Sequence, residues 1–267
     1  MSKLLRHFGF RHHPFARQTP KDAVFRHRGF DEAFGRLRYS IDLDSVAVLV
    51  AESGCGKSLL LGVLADEMQC DGQAVHYFAH STIGPFGLIN VLARKIGLAP
   101  RRSRGETAQL CAEHLLADER RHIVVIDEAH ELPDATLEDI RLLTIADFDR
   151  KSPFLLLLAG QVVLDDRLAE PVHHALDRRI VTIARLLPLS PEEIRDYFQA
   201  RLRGAGIAKA RPVFEDAAID AIAEATAGVP GRINNLATGS LIVAAARKRK
   251  LVTAQDVHDA RLDRGRV

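Results

Sequence analysis

Apolar residues in the first two-thirds of the chain follow two patterns, short continuous runs and longer stretches with a helical period. The continuous runs predict strands that are buried on both faces, and the stretches between them predict helices. The predicted strands are 46–51, 74–79, 123–126, 154–159 and 180–183. Strands that alternate with helices indicate a parallel sheet. The pattern therefore predicts an α/β fold, with a five-stranded parallel sheet and helices on both faces.

The pattern changes after residue 187, where four helical stretches follow one another without a strand. They are 190–203, 214–225, 232–246 and 253–262. Ser190 and Glu193 have the spacing of a capping box, and Thr253 is a candidate N-cap. We therefore expect a core at 29–186 followed by a small all-helical lid domain at 187–267. The basic and aromatic segment 1–28 predicts an irregular arm that packs its aromatic rings on a domain.

Composition and charge place the chain among ordinary globular proteins. Of its 267 residues, 47% are hydrophobic and 27% are charged. The net charge is only +2, so any binding of nucleic acid has to depend on local basic clusters. The three cysteines lack metal-binding spacing, and neither a signal peptide nor a transmembrane run is visible. These features predict a cytoplasmic protein with reduced thiols.

The turn after the first predicted strand has the sequence of a phosphate-binding loop. Residues 51–58, AESGCGKS, match the P-loop pattern except that Ala51 replaces its first glycine. Gly54 and Gly56 allow the backbone N–H groups to turn toward phosphate oxygens. Lys57 supplies the charge for the β- and γ-phosphates, and Ser58 supplies a hydroxyl ligand for Mg²⁺.

We therefore expect ATP and Mg²⁺ to bind at this loop. The predicted nucleotide-binding residues are Glu52, Ser53, Gly54, Cys55, Gly56, Lys57, Ser58 and Leu59. Ala51 fits the loop if its φ angle is negative, whereas a positive φ would strain the loop and weaken binding.

Two acids follow the third predicted strand and complete a hydrolysis site. Asp127 ends a run of four apolar residues and can hold Mg²⁺, while Glu128 can orient or deprotonate the attacking water. Gln161 follows the fourth strand and either contacts the γ-phosphate or merely begins a helix. Arg178 and Arg179 precede the fifth strand, either as an arginine finger for a neighbouring subunit or as a solvated basic pair.

With these motifs the chain resembles the AAA+ superfamily, and within it the ExeA-type ATPases and related transposon-encoded targeting ATPases. The resemblance covers nearly the whole chain. It rests on Phe8-Gly9-Phe10 with Pro14-Phe15, on Asp127-Glu128-Ala129-His130, on Ala159-Gly160-Gln161, on Leu176-Asp177-Arg178-Arg179-Ile180 and on Gly228-Val229-Pro230-Gly231-Arg232-Ile233-Asn234. It implies that Gln161 lies in the sensor 1 segment and that Arg232 is the sensor 2 residue facing the nucleotide.

The resemblance implies a homo-oligomer that assembles with ATP on duplex DNA and delivers this target DNA to a transposase. Two basic clusters favour DNA contact through phosphates, although each is equally compatible with solvated surface charge. They are Arg101, Arg102 and Arg104 in one loop, and Lys248, Arg249 and Lys250 between two helices of the lid domain.

Three other functions stay open. The first is a secretion-associated ATPase like ExeA, which is disfavoured because no membrane segment follows the lid domain. The second is an initiator or clamp-loader-like protein, which is disfavoured because no winged-helix segment is visible. The third is a nucleotide-dependent scaffold without turnover, which Ala51 supports and Glu128 opposes.

Overall fold

A computed structural model describes residues 3–16, 24–43, 46–79, 84–144, 152–207 and 211–263. Within these ranges the α-helices are α1 Lys3–Phe8, α2 Arg28–Asp42, α3 Lys57–Cys70, α4 Pro85–Lys95, α5 Arg104–Ala117, α6 Asp134–Leu143, α7 Val163–Leu168, α8 His174–Asp177, α9 Pro191–Gly204, α10 Asp216–Thr226, α11 Pro230–Ala246 and α12 Ala254–Asp263. The chain divides into a sheet unit, residues 30–52 and 57–186, and a helical unit, residues 1–29, 53–56 and 187–267.

The sheet unit is built on five parallel strands. They are β1 Val46–Ala51, β2 Ala74–Phe78, β3 His122–Ile126, β4 Leu155–Gly160 and β5 Ile180–Leu186. Their order across the sheet is β2-β3-β4-β1-β5, and every neighbouring pair is parallel. The predicted fold class is therefore confirmed. Because the strands are parallel, all five carboxyl ends lie at the same edge of the sheet.

Burial explains why these strands were visible in the sequence. Every residue of β1, β3 and β4 is buried, as strands with both faces covered require. One face contributes Val48, Val124 and Leu156 to a core that also contains Leu88 and Leu137 from flanking helices. The positions between these are buried as well, so both faces of the three central strands are covered.

The helical unit has a core of its own, to which the N-terminal segment contributes. Phe8, Phe10 and Phe15 are buried in it, and the Phe15 ring lies edge-on to Phe198 and Phe214 at centroid distances of 5.3 and 5.9 Å. The segment is not irregular throughout, because α1 forms within it. With six residues, α1 is too short to produce a recognisable helical period in the sequence.

Both predicted helix starts in the helical unit carry side-chain caps. The Ser190 side chain accepts a hydrogen bond from the Glu193 amide while the Glu193 carboxylate accepts one from the Ser190 amide, which confirms the capping box. Thr253 and Asp256 make the same reciprocal pair at the start of α12, at 3.3 and 3.1 Å.

No helix in the described part of the chain combines the length and apolar character that a bilayer span requires.

Candidate nucleotide-binding and hydrolysis site

The P-loop turn joins the carboxyl end of β1 to the first residue of α3. Gly54 and Gly56 adopt φ angles of +90° and +104°, which side chains other than glycine rarely tolerate. Ala51 is the last residue of β1, pairs with Leu186 of β5 and does not have a positive φ. Alanine therefore fits this position without strain, although the P-loop pattern has a glycine here.

Lys57 begins α3 and points its ammonium group into the site. Its side chain is only 7% exposed, and its Nζ lies 3.6 Å from Oε1 of Glu128. The first turn of α3 contains no acidic residue, so the positive end of this helix is not neutralised by its own side chains. A buried ammonium group at a helix N-terminus favours binding of an anion such as a phosphate.

Asp127 follows β3 and is held by three hydrogen-bond donors. Its Oδ2 accepts hydrogen bonds from the Ser58 hydroxyl at 3.2 Å and from the Tyr77 hydroxyl at 2.8 Å. Its Oδ1 accepts one from the Glu128 amide at 2.9 Å. Burial and then the hydrogen bond to Asp127 raise the pKa of Tyr77 above its ordinary value, so the phenol stays a donor.

Glu128 has a left-handed backbone conformation, with φ 53° and ψ 36°. For a residue with a side chain this conformation costs about 1–2 kcal/mol. It turns the chain sharply after β3, so that the Glu128 carboxylate lies between Lys57 Nζ, at 3.6 Å, and His130 Nδ1, also at 3.6 Å. Strained backbone of this kind is characteristic of catalytic sites.

The turn at residues 127–130 also contacts the end of β4. The Gln161 amide lies 3.4 Å from His130 Nδ1. A Cβ atom at Gly160 would lie 2.8 Å from Leu164 Cδ2 and 3.3 Å from the His130 amide nitrogen. Only glycine therefore allows β4 to approach this turn so closely, and the approach brings Gln161 to the same edge of the sheet as Asp127 and Glu128.

Arg167 of α7 fixes the far side of the same turn. Its Nη1 donates to the His130 carbonyl at 3.0 Å, and its Nη2 donates to the Asp134 carboxylate. His173 is buried, and its Nε2 lies 3.2 Å from the same carboxylate. Hydrogen bonding to Arg167 lowers the pKa of Asp134, so this carboxylate stays charged.

Arg178 and Arg179 lie elsewhere in the sheet unit. They precede β5, and together with Val46 and Val181 they line a cavity of about 240 Å³ at the amino ends of the strands. The P-loop and Asp127 follow the carboxyl ends. A six-residue strand such as β1 separates the two edges by about 17 Å, so neither arginine belongs to the cluster around Glu128.

In the helical unit, the start of α11 contacts the P-loop turn. The Gly231 amide donates to the Gly54 carbonyl at 2.9 Å, and a Cβ at position 231 would lie 3.0 Å from the Gly54 Cα. Arg232 is the next residue and is exposed. Its assignment as the sensor 2 residue stays a prediction, as do the roles of the other P-loop positions, Glu52, Ser53, Cys55 and Leu59.

The two basic clusters are only partly available for DNA. Arg104 donates to Asp139 at 2.8 Å, and Arg249 lies 3.3 Å from Asp256. The remaining four residues, Arg101, Arg102, Lys248 and Lys250, are exposed. DNA contact by these clusters stays a prediction.

The oxygen atoms of Ser58 and Asp127 are suitable ligands for Mg²⁺, and the groups around them are suitable for a nucleotide. The described residues contain no group of three or more histidine, cysteine or acidic side chains that would form an all-protein metal site. Mg²⁺ in such a loop takes few protein ligands because phosphate oxygens and water supply the others. Ser58 and Asp127 would hold the ion, and Lys57 with the glycine turn would hold the phosphates.

Sequence reasoning missed two side chains of this site, Tyr77 and Arg167. Tyr77 lies near the carboxyl end of β2, which pairs with β3, so its position beside Asp127 depends on the strand order. Arg167 reaches back across 37 positions to the His130 carbonyl. The sequence offered one signal for Tyr77, which is its position near the carboxyl end of the predicted strand 74–79.

Comparisons with known proteins agree with this geometry. Residues 41–168 match the family model described as the AAA domain. General secretion pathway protein A of Aeromonas hydrophila is 27% identical over 256 residues, which cover 94% of this chain and 46% of that protein. The chain therefore spans about half of the length of this curated relative.

Several solved structures share the fold. The Cdc6p protein of Pyrobaculum aerophilum is 18% identical with a TM-score of 0.74, over 94% of this chain and 70% of that one. The ORC1 protein of Aeropyrum pernix, solved in complex with DNA, is 19% identical with a TM-score of 0.69, over 95% and 69%. The RuvB branch migration motor of Thermotoga maritima is 18% identical with a TM-score of 0.59, over 94% and 73%.

These structural likenesses, all below 20% identity, establish the fold alone. Residues 41–168 match the AAA domain, and the predicted resemblance of the chain to AAA+ ATPases of the ExeA type is confirmed.

Proposed function

We propose that the protein binds ATP with Mg²⁺ and hydrolyses it to ADP and phosphate. The observation that carries the proposal is the meeting of Ser58 with Asp127, at 3.2 Å, and of Lys57 with Glu128, at 3.6 Å, at one edge of the sheet. In a P-loop ATPase a serine and an aspartate at these positions hold Mg²⁺ and the lysine holds the phosphates, and a glutamate beside the lysine can act on the attacking water.

Each side chain has a separate role in the proposed reaction. Lys57 holds the β- and γ-phosphates, while Ser58 and Asp127 hold Mg²⁺, which neutralises charge on the phosphate oxygens when bound. Glu128 orients the attacking water and accepts its proton, and Gln161 contacts the γ-phosphate or this water. Arg232 of the lid domain faces the nucleotide as the sensor 2 residue. We propose that the lid domain spans residues 187–267 and follows a core of residues 29–186.

Glu128→Gln tests the catalytic role directly. Because the amide cannot accept the proton of water, we expect turnover to fall by about 10²–10⁴-fold, the usual contribution of a general base. ATP affinity should stay within a few-fold of that of the parent protein, whereas Lys57→Ala should lose ATP binding. Unchanged turnover in either variant, measured by phosphate release, would remove the corresponding assignment.

We also propose that ATP drives assembly of the chain into a homo-oligomer. Arg178 or Arg179 would then complete the site of a neighbouring subunit as an arginine finger. The support is their position at the amino edge of the sheet, away from the cluster that contains Glu128. ATP favours assembly in this scheme, and hydrolysis loosens it.

For the biological role, we propose that the oligomer forms on duplex DNA and delivers this DNA to a transposase. Support comes from the exposed basic residues Arg101, Arg102, Lys248 and Lys250 and from the likeness to an ORC1 protein solved in complex with DNA. Such contacts would be to phosphates and therefore independent of sequence.

A secretion-associated ATPase is the second candidate, and one observation favours it. The relative that covers 94% of this chain is a general secretion pathway protein. A scaffold that binds nucleotide without turnover is less well supported, since Ala51 fits its position in the loop and Glu128 has a cation beside it.

One experiment separates these roles. ATP turnover and sedimentation are measured on the same sample with and without a long duplex of random sequence. If DNA raises turnover and ATP with DNA drives assembly, the transposition-type function is supported. If ATP turns over and DNA changes neither quantity, the secretion-type function is favoured, and ATP binding without turnover supports the scaffold.

A further inference from the structure

Tyr77 is placed beside Asp127 by the pairing of β2 with β3. Tyr77 lies opposite Val125 in this parallel pair, and the Asp127 amide continues the pairing by donating to the Phe78 carbonyl at 2.9 Å. The strand pairing therefore fixes the backbone of both residues before their side chains meet. The Tyr77 side chain extends over the carboxyl edge of the sheet, where it is 40% exposed.

Three hydrogen-bond donors restrict the rotation of the Asp127 carboxylate. Oδ1 is held by the Glu128 amide at 2.9 Å, and Oδ2 is held by Tyr77 at 2.8 Å and by Ser58 at 3.2 Å. Asp127 itself is buried, with 4% of its surface exposed. A charged carboxylate with so little solvent depends on these donors for its orientation.

The three donors differ in what happens when the metal binds. A Ser58 hydroxyl that becomes a ligand of Mg²⁺ directs its oxygen lone pair at the ion and no longer holds Asp127 in the same way. The Glu128 amide holds only Oδ1. Tyr77 is then the one side chain among these donors that can keep Oδ2 in place. It has a single O–H donor, and the Asp127 carboxylate is its acceptor.

We propose that Tyr77 is a positioning residue for Mg²⁺, whose hydroxyl keeps the Asp127 carboxylate aimed at the metal site next to Ser58. The proposal rests on the function proposed above. Ligands held in place by a hydrogen-bonded partner bind metal more tightly than free ones, and loss of the partner commonly costs about 10- to 100-fold in metal affinity. Because Tyr77 is partly exposed, the loss here should lie at or below the lower end of this range.

Tyr77→Phe tests the proposal, since it removes the hydroxyl and keeps the ring. We expect the Mg²⁺ concentration for half-maximal ATPase activity to rise by about three- to tenfold. At saturating Mg²⁺, kcat and the KM for ATP should approach those of the parent protein. A variant with merely damaged structure would instead lose kcat at every Mg²⁺ concentration and would unfold at a lower temperature.

A second measurement does not depend on activity. The chain has three tyrosines and no tryptophan, and a hydrogen bond to a carboxylate quenches tyrosine emission. Intrinsic fluorescence is therefore followed during a Mg²⁺ titration with a non-hydrolysable ATP analogue present. Because bound Mg²⁺ would withdraw charge from the Asp127 carboxylate and so weaken this quenching, the parent protein should show a saturable rise in emission that Tyr77→Phe abolishes. The matched control is Tyr39→Phe, because Tyr39 is 65% exposed on α2 and should leave the change intact.

The outcomes separate this inference from the proposed function. A parent protein with no Mg²⁺-dependent nucleotide binding or turnover would overturn the proposed function and the inference together. Normal Mg²⁺ dependence in both the parent and Tyr77→Phe would overturn only the inference. Tighter Mg²⁺ binding in Tyr77→Phe would also overturn it, because the hydroxyl would then compete with the metal rather than prepare its ligand.

Discussion

At the scale of single residues, the turn after β3 combines an unfavourable backbone with a charged side chain. Glu128 has a positive φ of 53°, and its carboxylate lies 3.6 Å from the Lys57 ammonium group. Neighbouring contacts hold this conformation, including the Glu131 amide, which donates to the Glu128 carbonyl at 2.9 Å. The surrounding structure, rather than the preference of Glu128 itself, therefore places the proposed catalytic base.

Gly160→Ala is expected to disturb this turn through one added methyl group. The new Cβ would lie 2.8 Å from Leu164 Cδ2, 3.2 Å from Leu164 Cβ and 3.3 Å from the His130 amide nitrogen, so α7 or the turn has to move. We expect a loss of about 1–3 kcal/mol in the free energy of unfolding, as for overpacked cores. Phosphate release should fall as well, because the displaced turn carries Glu128.

Gly62→Ala is the matched control for this substitution. Gly62 lies within α3, and a Cβ there would meet nothing within 4 Å. Alanine favours a helix interior over glycine by roughly 1 kcal/mol, so this variant should be as stable as the parent protein or more so. Equal stability and turnover for the two variants, in urea unfolding and phosphate release, would contradict the proposed close approach of β4 to the turn.

Residues whose role follows from local sequence could be predicted, and those whose role follows from strand order could not. Gly54, Lys57 and Asp127 belong to short motifs in which the chemistry is set by adjacent positions. Tyr77 meets Asp127 only because β2 pairs with β3, and Arg167 meets His130 only because α7 packs beside the turn. No spacing in the chain reports either contact.

At the scale of elements, α7 is connected to the turn after β3 through one guanidinium group. Arg167 donates to the His130 carbonyl and to Asp134, and its side chain is only 19% exposed. Arg167→Met keeps the length of the side chain and removes these donors. We expect it to cost about 1–3 kcal/mol in unfolding free energy, because the partly buried His130 carbonyl loses its donor, and to lower kcat more than it changes the KM for ATP.

Arg36→Met is the comparison for this arginine. Arg36 pairs with Glu32 on the surface of α2, where both side chains are more than half exposed. Exposed pairs of this kind contribute little, so we expect a change below about 0.5 kcal/mol and normal kcat. If Arg167→Met behaves like Arg36→Met in both assays, α7 does not support the turn.

The pairing of β2 with β3 also carries two adjacent histidines that should make the sheet sensitive to acid. His76 Nε2 lies 3.0 Å from His122 Nδ1. Burial, followed by the neighbouring His122, lowers the pKa of His76 from 6.5 to about 4. Between pH 6.5 and about 4, the unfolded chain therefore protonates His76 whereas the folded chain keeps it neutral. The free energy of unfolding consequently falls as the pH drops from 6.5 to about 4.

His76→Gln is expected to reduce this pH dependence, which urea unfolding at a series of pH values measures. Its control is His174→Gln, because His174 is an exposed residue of the same unit at the start of α8. The control should retain the loss of stability below pH 6.5. An equally steep loss in His76→Gln would show that other groups cause it.

Among the elements, burial on both faces and length decided which could be predicted. The strands β1, β3 and β4 are continuous apolar runs, and the helices α2, α4 and α9 show a clear helical period. α7 and α8 have six and four residues, too few for a period to appear in the sequence. β5 extends three residues beyond its predicted end at 183, because Ala184 to Leu186 continue to pair with β1.

At the scale of the whole molecule, the sheet unit separates two parts of the proposed reaction. Lys57 and Glu128 lie at the carboxyl edge of the sheet, whereas Arg178 and Arg179 lie at the amino edge. An arginine finger at the amino edge can act only on the site of another copy of the chain. Hydrolysis should therefore depend on contact between subunits, and its specific rate should rise with protein concentration until assembly is complete.

Mixing two inactive variants tests this dependence. Arg178→Ala keeps an intact nucleotide site but lacks the finger, and Glu128→Gln keeps the finger but lacks the base. In a mixed oligomer the Glu128→Gln subunits supply arginines to the intact sites of their neighbours, so phosphate release should exceed the sum of the two separate samples several-fold. The same mixture is made with Arg179→Ala, and the arginine whose removal is rescued is the finger.

Mixing works as a test because dilution alone cannot produce the expected gain. A finger is worth about 10³–10⁵ in rate where it has been measured, so a few completed interfaces would dominate the signal. The control mixture combines Arg36→Ala with Glu128→Gln. Because Arg36 pairs with Glu32 and is not a candidate finger, this mixture should release phosphate only in proportion to its Arg36→Ala subunits. If neither arginine variant is rescued, and both hydrolyse ATP normally by themselves, the finger is absent and each chain completes its own site.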